Sequence, residues 1–242
     1  MGDDRSAILA RLAMAVVGSD QPLAARLCRA CVDILEVDGA AITVANVEVE
    51  HATLAATDTT AERIEELQEV LGEGPGPDAY LSGTIVVASI DADARGRWPV
   101  FAAAAADAVG SVQVVAVPMR PAERTLGVLS LYRRLAQPLR LRADTAQFLA
   151  NSIGVALLRE LVDDLHHADT WRASTWSGPA RVHQATGMVI AQLGVSAEDA
   201  LALLRAHAYA SETTLDRVAD RVLDRRLDFS SVDDSSDGEP DG

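Results

Sequence analysis

Ser111-Val-Gln-Val-Val-Ala-Val-Pro-Met119 and Arg124-Thr-Leu-Gly-Val-Leu-Ser-Leu-Tyr-Arg133 are two β-rich segments that decide the fold of the first part of the chain. The residues between them favour a turn, so the pair predicts neighbouring antiparallel strands. Further strands are predicted upstream, at Ala41–Val44, Val47–Ala56 and Thr84–Ile90.

Helical patterns separate these strands. The apolar spacing predicts helices around Ile8–Val16 and Leu23–Leu35, and again over Thr59–Leu71 and Trp98–Ala108. The prolines and glycines of Gly72–Asp78 predict a loop. Strands and helices mixed in this way, with tight turns between strands, are typical of an α+β domain with an antiparallel sheet flanked by helices. We place this domain at residues 1–138.

From Leu139 the helical pattern is sustained, and residues 139–176 are predicted to form a long coiled-coil-like helix and a linker. Its apolar residues recur every three or four positions, which suits a helix that pairs with another helix. We expect a homodimer, parallel or antiparallel, because soluble monomers avoid exposing such a row. The stripe consists of Leu149, Ile153, Leu157, Leu161 and Leu165.

Three shorter helices are predicted in residues 177–229. The first begins near Pro179 and ends at Gly194, the second is capped near Ser196, and the third near Thr213-Thr214. Helices of this length are marginal alone, so they are expected to pack as an all-α bundle. The acidic residues 230–242 are expected to be disordered.

The composition limits which partners the protein can bind and indicates its cellular compartment. The 242 residues carry a formal net charge of −15, so any contact with nucleic acid must come from a local patch. The 21 Lys and Arg residues are all Arg, and this absence of Lys suggests a GC-rich bacterial genome. With two cysteines, no signal-peptide pattern and no run long enough to span a bilayer, a cytoplasmic protein without membrane contact is expected.

No motif in the chain carries catalysis. Cys28 and Cys31 lie on the apolar side of a predicted helix and are interpreted as core residues. The Gly-x-Gly of the Gly72–Pro77 loop lacks the donors of a phosphate loop, and the histidines match no metal-ligand spacing. We therefore predict a protein that is not an enzyme, with no metal site and no evident cofactor.

The stretch from Arg181 to Tyr209, together with Thr214-Leu215 and Val218-Ala219, resembles an ANTAR domain over about Ser177–Phe229. The resemblance implies a three-helix module that binds paired RNA stem-loops and prevents transcription termination. It also implies a dimer formed through the preceding helix, Leu139–Ala168.

Eight residues are the candidates for RNA binding. Arg181 and Arg205 match the family's arginines. Arg217 and Arg221 begin a row on the last helix that continues at Arg225, and this row either contacts a nucleic-acid backbone or pairs with the aspartates Asp216, Asp220, Asp224 and Asp228. Tyr209 is available to stack on an unpaired base or to pack in the core. The full candidate set is Arg181, Gln184, Thr186, Gly187, Arg205, Tyr209, Arg217 and Arg221.

Two features leave a second interpretation open. Thr186 stands where the family has Lys, and the seven arginines of Arg172–Phe229 are matched by seven acidic residues. Phosphate contacts supply much of the affinity for nucleic acid. The alternative is therefore a dimeric signalling or protein-interaction module with a vestigial ANTAR domain that does not bind RNA.

Upstream, several short motifs resemble an actinobacterial GAF domain over about Gln21–Arg159. The resemblance implies a sensor domain with an antiparallel sheet, and its input, a small molecule or a protein, stays unknown. Together the two resemblances imply a GAF–ANTAR antitermination regulator. The motifs are Gly72-Glu-Gly-Pro, Asp91 followed by Arg97-Trp98-Pro99, Gly110-Ser-Val, Val117-Pro118 and Leu126–Tyr132.

Overall fold

In the computed structural model the chain forms two compact units, Met1–Thr175 and Trp176–Gly242. The structure describes residues 2–17, 20–44, 52–91, 97–134, 141–166 and 177–231, without the side chains of 2–4, 161–166, 177–180 and 231. The first unit contains, in chain order, α1 (Gly2–Val16), α2 (Leu23–Leu35), β1 (Gly39–Val44), β2 (Ala52–Ala56), α3 (Thr59–Leu71), α4 (Pro75–Ser82), β3 (Val86–Ile90), α5 (Pro99–Val109), β4 (Val112–Met119), β5 (Gly127–Arg134) and α6 (Ala143–His166).

The sheet has the strand order β2-β1-β5-β4-β3, and every pairing is antiparallel. This confirms the predicted strand pair, since Val114 lies opposite Tyr132 across β4 and β5. The inner strands β1, β4 and β5 are buried along almost their whole length, whereas the edge strands β2 and β3 are partly exposed. The turn predicted at Asn46 lies outside the described residues.

Helices cover both faces of the sheet. The face that carries Ala41, Val114 and Tyr132 packs against α3 and α5. The same face continues at Ala116 and Val128, where it meets α4. Since alternate strand residues point to opposite faces, the remaining strand residues face α2 and α6, which contact β1 and β4 respectively.

The long helix α6 is part of this first unit. Leu149, Ile153 and Leu157 are fully buried within the chain, where α6 packs on β4, α2 and α1. The expectation that these three residues would otherwise be exposed is therefore wrong, because the sheet already covers them. The first unit continues past the predicted boundary at 138, and the side chains of Leu161 and Leu165 lie outside the description.

The predicted loop Gly72–Asp78 is mostly helical, which corrects the sequence interpretation. Gly72 ends α3 with φ 65°, and Gly74 precedes α4 with φ 140°. Pro75 then occupies the first turn of α4, where its missing N–H has no helical partner to lose. The loop is thus a tight corner between two helices.

The cysteines are core residues, as predicted. Cys28 and Cys31 are both fully buried on α2. Burial, with a smaller contribution from the Glu65 charge, raises the pKa of Cys28 to about 12. Burial also raises the pKa of the Cys31 thiol. Neither sulfur is a thiolate at neutral pH.

The second unit is a bundle of α7 (Ser177–Leu193), α8 (Ala197–Ala210) and α9 (Leu215–Leu223), followed by a 3₁₀ turn at Phe229–Ser231. The side-chain oxygens of Ser196 and Thr214 cap α8 and α9, which confirms the predicted helix starts. Of the predicted disordered tail, the first two residues belong to the 3₁₀ turn, and 232–242 lie outside the description.

Its core is small and apolar, and the chain after α9 folds back onto it. The core residues are Val182, Ala185, Val189, Ala200, Leu204, Ala208, Leu215, Val218, Ala219, Val222, Leu227 and Phe229.

Among the described residues no single helix is long and apolar enough to cross a membrane. The helices Arg181–Leu193 and Ala197–Ala210, bent by 106°, pass that test together by length and composition.

Candidate functional site

The outer surface of α7 carries two of the RNA-binding candidates. Gln184 and Gly187 are exposed, and a Cβ atom built at Gly187 would meet no other atom within 4 Å. Arg181 lies on the flank of α7 that faces α9. There its Nη2 is 2.6 Å from Oδ1 of Asp220. Arg181 is thus already paired with a carboxylate.

Thr186 is not on this surface. It is 8% exposed, and its hydroxyl donates a hydrogen bond to the carbonyl oxygen of Val182 at 2.8 Å. One helical turn separates the two residues, so the bond lies within α7 and ties the hydroxyl to the backbone. The expectation that Thr186 is available to RNA is therefore wrong.

Arg205 and Tyr209 lie one turn apart on the same flank of α8. Tyr209 exposes 51% of its surface, whereas Arg205 is half-buried. The alternative that Tyr209 packs in the core is excluded by this exposure. Its ring is available to a partner.

On α9, Arg217 and Arg221 are exposed and one turn apart. The predicted row does not continue, because α9 ends at Leu223 and Arg225 adopts a left-handed backbone conformation with φ 57°. The backbone N–H of Arg226 instead donates to the carbonyl oxygen of Arg221 at 2.7 Å.

The acidic residues of α9 face the opposite flank from these arginines. Burial, followed by the charge of Asp220, raises the pKa of Asp216, and the charge of Arg181 opposes that rise. Arg181, Asp216 and Asp220 therefore form one electrostatic cluster between α7 and α9. The eight candidates do not form a single surface.

Sequence reasoning missed His207. Its Nε2 lies 3.5 Å from Nη1 of Arg221, and its ring meets Phe229 edge-on with centroids 5.7 Å apart. Partial burial, then the Arg221 charge, lowers the pKa of His207. The spacing of the sequence could have indicated this position, because His207 lies three residues after Leu204, at the edge of the buried face of α8.

The interior of the first unit contains a buried carboxylate that the sequence analysis also missed. Thr43 Oγ1 donates to Glu65 Oε2 at 2.8 Å, and Gln68 Nε2 donates to Glu65 Oε1 at 2.9 Å. Gln68 Oε1 in turn accepts the backbone N–H of Gly76 at 2.7 Å. The network links the sheet, α3 and the first turn of α4.

This network leaves little space for a ligand. The cavity beside Glu65 has a volume of about 10 Å³ and is lined mainly by apolar side chains with Ser130 and Tyr132. That is room for about one water molecule. Burial raises the pKa of Glu65, and the nearby Ser130 hydroxyl together with the hydrogen bonds from Thr43 and Gln68 opposes the rise.

The sequence motifs of the first unit have structural roles at the start of α5. Asp78 accepts a hydrogen bond from Trp98 Nε1 at 3.0 Å and pairs with Arg97 at 2.9 Å. Glu73 Oε1 accepts the backbone N–H of Phe101 at 2.8 Å. Among the described residues, no group of three His, Cys, Asp or Glu side chains is placed to hold a metal ion.

The chain thus combines an antiparallel sheet between two helical layers with a separate three-helix module. The chain belongs to the GAF family, whose GAF domain model matches residues 21–157. The ANTAR domain model matches residues 177–223, so the chain is a GAF–ANTAR regulator. GAF is a sensor domain and ANTAR an RNA-binding antitermination domain.

Solved structures similar to the chain include other GAF domains. The nlh2 GAF domain from A. aeolicus, in an inactive state, is 12% identical, with a TM-score of 0.47 over 65% of this chain and 97% of that one. The GAF domain of a phosphoenolpyruvate-protein phosphotransferase from Coxiella burnetii is 13% identical, with a TM-score of 0.47 over 69% of this chain and 97% of that one. No curated protein matches the chain.

Proposed function

We propose that this chain is a cytoplasmic regulator that binds paired RNA stem-loops through its ANTAR domain and prevents transcription termination. A small molecule or a protein acting on the GAF domain is the input. The match of residues 177–223 to the ANTAR domain supports RNA as the partner class.

The observation that carries the stem-loop proposal is the exposure of Tyr209. An aromatic ring that is 51% exposed at the end of α8 is suited to stack on an unpaired base. Loops present such bases, whereas a duplex does not. Arg217 and Arg221, exposed on α9, would contact the phosphates.

We also propose that the regulator acts as a homodimer. The support is the length of α6, which runs to His166 and so extends nine residues past Leu157, the last residue of the stripe whose side chain the structure describes. Light scattering of the wild type and of a chain with Leu161→Glu and Leu165→Glu tests this proposal. We expect a dimer that the double substitution separates, and a wild-type monomer would contradict it.

The experiment for RNA binding uses the full chain and a fluorescently labelled RNA with two adjacent stem-loops. We expect the affinity to fall when the loops are replaced by paired sequence. Tyr209→Ala should weaken binding by about 5-fold to 150-fold, the range of base stacking on an aromatic ring. Tyr209→Phe is the matched control and should bind as the wild type does, because it keeps the ring.

One observation favours the alternative of a protein-interaction module. The pairing of Arg181 with Asp220 occupies a cation that RNA would use. If the wild type shows no affinity for the double stem-loop RNA even at low salt, the alternative becomes the better account.

A further inference from the structure

We propose that His207 and Arg221 form an anion site that holds a phosphate group of RNA, and that His207 takes up a proton when the phosphate binds. The inference rests on the proposed RNA binding and adds a residue and a pH dependence to it. The site joins α8 to α9, on the flank away from the Arg181–Asp220 pair.

The geometry brings two side-chain nitrogens to one place, where Nη1 of Arg221 donates to Nε2 of the neutral His207 ring. Nε2 of His207 and Nη1 of Arg221 are 3.5 Å apart, and the guanidinium is exposed. Arg217 lies one turn before Arg221 on the same helix and adds a second positive charge nearby. Once Nε2 is protonated, a phosphate oxygen can accept from the ring and from the guanidinium together.

The histidine ring is held in position before any ligand arrives. It packs edge-on against Phe229 at an interplanar angle of 71°. The backbone N–H of Phe229 donates to Oε1 of Gln192 at 3.2 Å, which fixes the 3₁₀ turn against α7. The ring therefore needs little reorganisation to bind an anion, which favours affinity.

The nearby acidic groups have other partners. Asp220 pairs with Arg181, Asp224 lies 3.7 Å from Arg226, and Asp228 accepts from the Ser230 hydroxyl at 2.6 Å. The charge that acts on His207 is that of Arg221. The charged groups on α9 are Asp216, Arg217, Asp220 and Arg221, those after it are Asp224, Arg225, Arg226 and Asp228, and Glu212 follows α8.

Phosphate binding should therefore be linked to protonation. In the free protein, partial burial and then the Arg221 charge disfavour the imidazolium and lower the pKa of His207. A phosphate offsets the Arg221 charge and favours the imidazolium, and the last turn of α8, where His207 lies, favours a cation as well. Each unit by which phosphate raises this pKa corresponds to about a tenfold gain in affinity at low pH.

The test measures the affinity of the full chain for the double stem-loop RNA at pH 6.0 and 8.0. The variants are His207→Gln and Arg221→Gln, with His183→Gln as the control, because His183 is an exposed histidine of the same module. We expect the wild type and His183→Gln to bind several-fold more tightly at pH 6.0. His207→Gln should lose this difference, and Arg221→Gln should bind more weakly at both pH values.

Retention of the full pH difference by His207→Gln, or its absence from the wild type, would overturn the anion site. A second measurement tests the site even if the His207→Gln variant does not fold or the wild type binds no RNA. It follows the His207 ring by NMR in the wild type during pH titrations in sodium sulfate or sodium chloride of equal ionic strength. A higher His207 pKa in sulfate supports the site even if the RNA proposal fails, and equal values reject it.

Discussion

Arg181 of α7 and Asp220 of α9 form an ion pair, with Nη2 and Oδ1 2.6 Å apart, on the surface of the ANTAR domain. Both side chains are partly exposed, so the pair contributes little to stability. Under the proposed function its larger effect is on RNA binding, because a phosphate would have to compete with Asp220 for the guanidinium. The nearby Asp216 adds to the negative potential when it is ionised.

We predict that Asp220→Asn strengthens RNA binding. The change frees Arg181 for a phosphate, so affinity should rise severalfold and the slope of log affinity against log salt should steepen by about 0.7 to 0.9. Binding isotherms over a salt series measure both quantities. Asp224→Asn is the control, because it removes the same charge from an exposed aspartate whose arginine partner is 3.7 Å away. Equal effects of the two substitutions would show that net charge alone is responsible.

Substitution of Leu157 tests whether the buried face of α6 packs in the core of its own domain or against a second copy. Because Leu157 is 2% exposed in the core of the first unit, Leu157→Ala should lower the free energy of unfolding by about 2 to 5 kcal/mol. Chemical denaturation followed by circular dichroism measures the change. Val155→Ala is the control on the same helix and should cost far less, since Val155 is 38% exposed. If Leu157→Ala instead yields a stable monomer from a dimer, the stripe contacts a second copy.

Leu157 also illustrates how much of the fold could be predicted from the sequence. Periodicity and capping residues such as Ser196 and Thr214 identified most of the helices, because these signals are local, but the prolines and glycines before Asp78 hid α4. The same periodicity cannot say whether a leucine stripe meets a sheet or a second helix, because both need one apolar face. The site depends even more on tertiary contacts. Asp220 and His207 acquire their roles from partners on other helices.

The two cysteines should be unreactive in the folded protein. Cys28 and Cys31 are buried and their pKa values are raised, so thiol reagents at pH 8 should modify neither in the native state. Unfolding in guanidinium chloride should expose both, and titration with a chromogenic disulfide reagent counts them. Rapid labelling of the native chain would contradict the core assignment.

Glu65 should make the stability of the GAF domain depend on pH. Burial raises the pKa of this carboxyl in the folded state, while in the unfolded chain it titrates near its ordinary value of about 4.3. Below that value both states are protonated and Glu65 has no effect. As pH rises toward the higher folded pKa, the unfolded state releases its proton first, so the free energy of unfolding falls.

Glu65→Gln should therefore gain stability relative to the wild type as pH rises above about 4.3, and the difference should level off once the folded carboxyl is ionised. Each unit of raised pKa corresponds to about 1.4 kcal/mol of this gain. Gln keeps the shape, and its carbonyl still accepts from Thr43 or Gln68, so little packing is lost. Denaturation of both proteins between pH 4 and pH 8 measures the difference. Glu62→Gln, on the exposed side of α3, should show no such gain. A Glu65→Gln curve parallel to the wild type would mean that the carboxyl has the same pKa folded and unfolded.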